Sequence, residues 1–200
     1  MTRTRPENLN KLLAEIRACR VCAPYLPHGV RPIIRASKTA KLLIAAQAPG
    51  IRVHETGLSF NDPSGDRLRE WLGLDRETFY DESRVSIIGM GFCFPGYTES
   101  GADKPPRPEC APLWQARVLA ALPQHKLTLA VGTYAINWHL GDARKSTMTE
   151  TVKAWRDYGP ALMPLPHPSW RNNAWLKKNS WFDKKLLPDL RARVRHVLDL

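Results

Sequence analysis

Apolar residues recur along the chain with two alternating periods, and the alternation sets out the elements in order. Leu9, Leu12, Leu13 and Ile16 stand at helical spacing within the stretch 8–19, which predicts an amphipathic first helix. Pro24, Pro27, Gly29 and Pro32 then exclude regular structure until the next apolar run. That run, within 41–47, reads as a buried strand that breaks at Pro49-Gly50 into a loop holding His54, Glu55 and Phe60. Asp62, Pro63 and Gly73 bracket a helix whose buried stripe is Leu68, Trp71 and Leu72: Asp62 caps it, Pro63 takes its first position and Gly73 ends it. A second strand is expected over 84–91, and a loop rich in Gly and Pro runs from it to Cys110. A helix over 112–122 buries Leu113, Val118 and Leu119 or Leu122, and a third strand over 126–132 leads straight into a helix over 133–140. A short fourth strand over 161–166 ends in Pro166-His167-Pro168-Ser169-Trp170-Arg171-Asn172. The last helix, 183–198, is basic and turns Leu187, Leu190, Val194 and Val197 inward.

Strands that alternate with helices mean a parallel or mostly parallel doubly wound sheet. With no internal repeat and no long linker, residues 1–200 read as one domain. In such sheets ligands bind outside the carboxyl ends of the strands, so the segment after Pro49-Gly50 has the makings of a pocket wall, against the alternative of an ordinary turn.

Composition adds three constraints. The 200 residues are 43% hydrophobic, enough for one normal core, and no stretch resembles a membrane span or an apolar signal segment, so a cytoplasmic protein is expected. The formal net charge of +11 favours polyanionic partners, of which nucleic acid is the commonest. The four cysteines, in a chain without an export signal, point away from disulfides and towards metal or cluster ligation or plain burial.

Two strand ends, Gln47-Ala-Pro-Gly50 and His167-Pro-Ser-Trp-Arg-Asn172, would meet on one edge of the sheet together with Gly89-Met-Gly91. With Ala46-Gln-Ala-Pro-Gly50, Thr56-Gly-Leu-Ser-Phe60 and His167-Pro-Ser169 in this order, the chain resembles the uracil-DNA glycosylase superfamily, and most of all its iron-sulfur branch. Cys19-x-x-Cys22, Cys93 just after the second strand and Cys110 match that branch's cysteines in order, and the resemblance runs from Cys19 to the C-terminus. It implies a three-layer α/β/α sandwich around a mostly parallel, four-stranded sheet. It also implies a [4Fe-4S] cluster on Cys19, Cys22, Cys93 and Cys110, soft thiolates of the kind such irons select; a zinc ion or a set of buried thiols is the alternative. The cluster would brace irregular chain rather than carry electrons.

The family's reaction, hydrolysis of an N-glycosidic bond, places positive charge on the deoxyribose and negative charge on the departing base. By the resemblance His167 is the hydrogen-bond donor to the base, and Phe60 stacks on the base extruded from the helix. Without it, His167 reads as a structural histidine before a proline and Phe60 as a core aromatic. Ala48 and Gly89 belong to the base pocket. Gln47 stands where the first motif often carries an acid; it can orient a water but cannot act as a carboxylate base. His54 stands at an often acidic position and reads equally as a water or phosphate contact or as a solvated loop histidine. Gly89 stands where many relatives place the asparagine that reads uracil's edge, which leaves discrimination to backbone groups of 89–91 and to pocket shape, and Asn at this position should sharpen uracil preference.

The loop after the late His-Pro pair, with Ser169, Trp170, Arg171, Asn172 and Lys177, is the expected DNA contact, Trp170 or Arg171 acting as a wedge in the minor groove. Trp175 and Trp181 read as packing for the last helix. Ser64 and Gly65, at a helix N-terminus, suit a phosphate. The expected activity is that of a monofunctional glycosylase in base excision repair, acting on DNA with a deaminated base, uracil first and hypoxanthine or xanthine as well. A monomer with no obligate protein partner is expected. The competing readings are a lesion-binding protein that binds covalently or without turnover, and a cluster-containing interaction protein with no DNA role.

Overall fold

The computed structural model describes residues 8–122 and 124–200. Helix α1 (Leu9–Ala18) begins where Asn8 Oδ1 accepts the backbone N–H groups of Asn10 and Lys11 at 3.0 and 3.3 Å. Strand β1 (Leu42–Ala46) leads through Pro49-Gly50 into α2 (Ile51–Thr56). This stretch was expected to be a loop. It is helical because Gly50 supplies an extended N-cap and Gly57, at φ +72°, supplies the left-handed C-cap, so one and a half turns fit between two glycines. Helix α3 (Pro63–Leu72) is as expected: Asp62 Oδ1 accepts the N–H of Gly65 at 2.8 Å, and Gly73 closes the helix at φ +65°. A short α4 (Arg76–Tyr80), capped by Asp75, was not anticipated; it precedes β2 (Val85–Gly89).

Helix α5 (Cys110–Ala120) starts at the fourth cysteine, two residues before the expected start. It buries Trp114, Gln115 and Val118, while Leu113 is 41% exposed, contrary to its expected inward position. The buried stripe runs through Trp114 and Val118, four residues apart, and Leu122 is buried just beyond the helix. Strand β3 (Leu127–Val131) and α6 (Thr133–Leu140) follow as expected. Helix α7 (Met148–Lys153) and α8 (Asn173–Lys178), too short for a clear apolar period, flank β4 (Leu162–Leu165). A π-helical turn, Phe182–Leu186, runs into α9 (Leu187–Leu198), which buries Leu187, Leu190, Val194 and Val197.

The strands form one parallel sheet in the order β2-β1-β3-β4. Leu42 and Ile44 face a core shared with Leu68 and Trp71 of α3 and Leu190 and Val194 of α9; Leu43 and Ile88 face a second core with α1 and α5. The result is a helix–sheet–helix sandwich. Trp175 and Trp181 pack edge-on against Phe182, 5.7 and 6.3 Å between ring centres, and so serve the last helix as expected. Among the described residues no helix is long and apolar enough to cross a membrane.

Candidate active site

The chain leaves β1 for β2 on one side and β3 for β4 on the other, so the crevice of this sheet lies outside the carboxyl ends of β1 and β3. A cleft of about 460 Å³ occupies that place. Gln47, Ala48, Pro49 and Gly50 from the end of β1 line it, with Phe60, Ser64, Gly89, His167, Ser169, Trp170 and Arg171. These eleven residues, all singled out in the sequence, thus line one cleft, because parallel strands carry all their outgoing loops to one edge. Gln47 lies across the β1–β3 gap: a Cβ at Gly132 would stand 2.8 Å from its Oε1. Gly132 has φ +83° as well, so both the backbone and the amide beside it require glycine.

Phe60 is held by an unusual backbone. Its φ is +55°, rare for an aromatic residue and costly by about 1–3 kcal/mol. Tyr80 Oη donates to the Phe60 carbonyl at 3.0 Å, and the start of α3 closes on the same carbonyl so tightly that a Cβ at Gly65 would fall 1.7 Å from its oxygen. The ring meets Phe79 edge-on at 6.2 Å and is 9% exposed, so Phe60 is at once a core aromatic and a wall of the cleft. The N–H of Gly65 is occupied by Asp62, and Ser64 lines the cleft beside it.

At the neighbouring strand end the backbone is already committed. Ala46 pairs with Gly89, the N–H groups of Met90 and Gly91 donate to the carbonyls of Ala46 and Gln47 at 2.9 and 2.8 Å, and Gln115 Nε2 donates to the Gly89 carbonyl at 2.7 Å. A Cβ at Gly89 would meet the Gly91 oxygen at 2.5 Å and the Gln47 oxygen at 3.2 Å. The expectation that an Asn at Gly89 would sharpen the reading of the base is therefore corrected: position 89 has no room for a side chain, and its carbonyl, with the N–H groups of Met90 and Gly91, holds the strand ends together.

His167 follows β4 through Pro166. Burial holds its imidazole below the usual histidine range, with Asp62 opposing, so the ring is neutral at neutral pH. Asn172 Nδ2 donates to the His167 carbonyl at 2.6 Å, and Arg67 Nη1 of α3 donates to the Ser169 carbonyl at 3.0 Å; the His-Pro loop is thus tied to itself and to α3. Asn172 therefore uses one of its amide N–H groups to hold the loop. Trp170 is 71% exposed at the mouth of the cleft, with the Arg171 guanidinium 5.5 Å from its ring centre.

Besides Asn172, two expected residues lie outside the cleft lining. His54, on α2, places Nε2 3.0 Å from the His28 carbonyl and its ring 6.1 Å from that of Phe94, away from the cleft wall. Lys177 is exposed on α8, beyond the cleft lining. Conversely, the sequence reading missed Asp103 and Lys104, which line the cleft from the loop between β2 and α5, and used Asp62, also in the lining, only as a cap. Asp103 lies fourteen residues past the end of β2 in a segment without periodicity, and no local signal separates it from an ordinary loop carboxylate.

The four cysteines line a second cavity walled by Ile16, Leu26, Phe92 and Trp114. All are free thiols. Burial pushes Cys93 up to about 11 and Cys110 up to about 12, with charge on the neighbouring thiols adding to the shift. Cys22 Sγ lies 3.8 Å from Glu109 Oε2, and Arg107 donates to the same carboxylate. Among the described residues, no three His, Cys, Asp or Glu side chains form a group suited to one metal ion. The donor chemistry nonetheless fits an iron-sulfur group: four soft ligands face one apolar cavity, and bound cations would favour the thiolates that burial disfavours.

The segments that build this sheet and its cleft match a known family. The family model described as the Uracil DNA glycosylase superfamily matches residues 35–191, which span every strand of the sheet and every residue of the cleft but Ile33. Covering well over half of the sequence, that match establishes that the chain belongs to the uracil-DNA glycosylase superfamily.

Proposed function

We propose that this protein is a monofunctional DNA glycosylase that hydrolyses the N-glycosidic bond of a deaminated base, uracil first and a deaminated purine second, in base excision repair. The observation that carries this reading is the convergence of His167, Phe60 and Gln47 on one cleft at the sheet's switch point. An extruded base stacks along Phe60, whose conformation Tyr80 and the start of α3 hold before the base arrives. Neutral His167 donates to the base oxygen and strengthens that bond as negative charge builds on the leaving base. Gln47, lying beside Gly132, orients the attacking water with its amide. Trp170 fills the gap in the base stack, and Arg171 holds the phosphates beside it.

Cys19, Cys22, Cys93 and Cys110 would hold a [4Fe-4S] cluster. When bound it supplies cross-linking rather than chemistry, tying the end of α1 to the start of α5 and to the loop that carries Asp103. Protein purified without oxygen is expected to be brown, with iron and acid-labile sulfide in comparable amounts; stoichiometric zinc without sulfide would replace the cluster by a zinc site.

The activity is tested with oligonucleotides that each hold one uracil, hypoxanthine or xanthine, in single strands, mismatches and matched duplexes. Release of free base without strand cleavage is expected, fastest where extrusion costs least. Binding without release of any base would instead support a lesion-binding protein, the reading that the amide at Gln47 favours. The protein is taken to act as a cytoplasmic monomer, which light scattering with and without DNA checks.

A further inference from the structure

The geometry points to Asp103 as a catalytic residue: the carboxylate that faces the deoxyribose, stabilises its positive charge and takes the proton of the attacking water. This assignment rests on the glycosylase reading of the cleft and supplies what that reading lacks, since Gln47 has no basic group. Asp103 stands on a small turn bridged through Tyr97 and closed by the bond from Thr98 N–H to the Ala102 carbonyl at 2.7 Å. From there its Oδ2 reaches the first motif: a Cβ built on Gly50 would stand 3.3 Å from it.

The other carboxylate of the cleft is already employed. Asp62 Oδ1 accepts the Gly65 N–H at 2.8 Å and caps α3, and it also lies close enough to His167 to act on that ring. Asp103 faces two charged groups, Arg171 and Asp62. Burial and Asp62 push its carboxyl up while Arg171 pulls it down, which moves it towards the range where a carboxylate accepts a proton readily. Arg171 comes from the His-Pro loop, so the acid and its counter-charge belong to different loops and meet only in the folded cleft.

The step balances as follows. The bond from C1′ to the base nitrogen breaks, and its electron pair leaves on the base, whose oxygen accepts the hydrogen bond from His167. The water oxygen forms its bond to C1′, and Asp103 takes the water's proton. The base anion then collects a proton from solvent, and Asp103 returns its own to solvent.

The test compares wild type with Asp103→Asn, checked for unchanged folding by circular dichroism. The probes are single-stranded oligonucleotides with an abasic pyrrolidine, which is cationic like the reacting sugar, or an abasic tetrahydrofuran, which is neutral. Wild type is expected to prefer the cation. Asp103→Asn is expected to lose about tenfold of that preference without weakening tetrahydrofuran binding, and to lower base release about 10²- to 10⁴-fold. Adding Gln47→Glu to Asp103→Asn should restore part of both, which a merely structural aspartate would not allow. If wild type shows no preference for the cation, or Asp103→Asn keeps it in full, the assignment is wrong even if bases are released. If wild type releases no base yet loses its cation preference with Asp103, the glycosylase reading fails while the place of Asp103 against the sugar stands.

Discussion

The side-chain amide of Asn172 donates to the backbone carbonyl of His167 at 2.6 Å, closing the His-Pro loop on itself. The imidazole is thus positioned by a residue five places later in the chain, and the loss of either should act on the same step. His167→Ala is expected to lower base release about 10²- to 10³-fold, the usual effect of removing one transition-state donor, with DNA affinity retained. Asn172→Ala should cost about tenfold, and the double variant should be little worse than His167→Ala alone, because Asn172 works through the histidine. Single-turnover rates on a uracil oligonucleotide decide this; additive losses would separate the two residues.

Gly89 makes the second prediction. A side chain there meets the Gly91 oxygen at 2.5 Å, within the junction that joins the ends of β1 and β2. Gly89→Ala and Gly89→Asn are therefore both expected to lose about 1–3 kcal/mol of stability in urea titration, the usual cost of overpacking. Both should lower activity on every base alike. A sharper preference for uracil in Gly89→Asn would mean that the junction yields more readily than its hydrogen bonds indicate.

Arg171 and Lys177 differ in a way salt can measure. Arg171 lines the cleft beside Asp103, whereas Lys177 stands exposed on α8. If DNA lies across the cleft and over α8, neutralising either should flatten the dependence of log affinity on log salt by roughly 0.7–0.9 of a unit per lost phosphate contact. Arg171→Gln should also lower turnover, because Asp103 loses its counter-charge, while Lys177→Gln should weaken binding alone. An unchanged slope for Lys177→Gln confines the DNA path to the cleft rim.

Acid stability gives a fourth test. Burial holds His125 and His139 down at about 4, against an ordinary 6.5. Both are bases with depressed values, so between about pH 4 and 6.5 the unfolded chain binds more protons than the folded one. Their contribution is complete above 6.5, is lost as pH falls through that window and levels off below 4. The loss should amount to roughly a few kcal/mol in all. Urea titrations at pH 7.5 and 5 should reveal it, and His139→Phe should flatten the change without lowering stability at pH 7.5.

Much of this protein is legible one segment at a time. Helices α1, α3 and α9 carry clear apolar stripes, Asp62 and Gly73 mark the ends of α3, and β1 to β3 are short apolar runs, because burial and capping act on residues close in sequence. The parallel sheet and the edge that gathers Gln47, Gly89 and His167 follow from the alternation of strand and helix. Motif order alone carried the resemblance to the superfamily and the grouping of the four cysteines.

Other features arise only when distant segments meet. That α2 is a helix depends on two glycines enclosing a stretch too short to show a period. That Gly89 excludes a side chain depends on Gly91 and Gln47 closing over it, and that His54 turns away from the cleft depends on His28, twenty-six residues earlier. Asp103 has no sequence signal at all, since a loop carboxylate gains its chemistry from what surrounds it: burial, Asp62 and Arg171 come from three different parts of the chain. Sequence determines which segments are strands, helices and turns because their hydrogen bonds and apolar faces are local. Tertiary structure decides which polar groups are occupied and which stay free to act, because desolvation and charge pairing are set by neighbours in space.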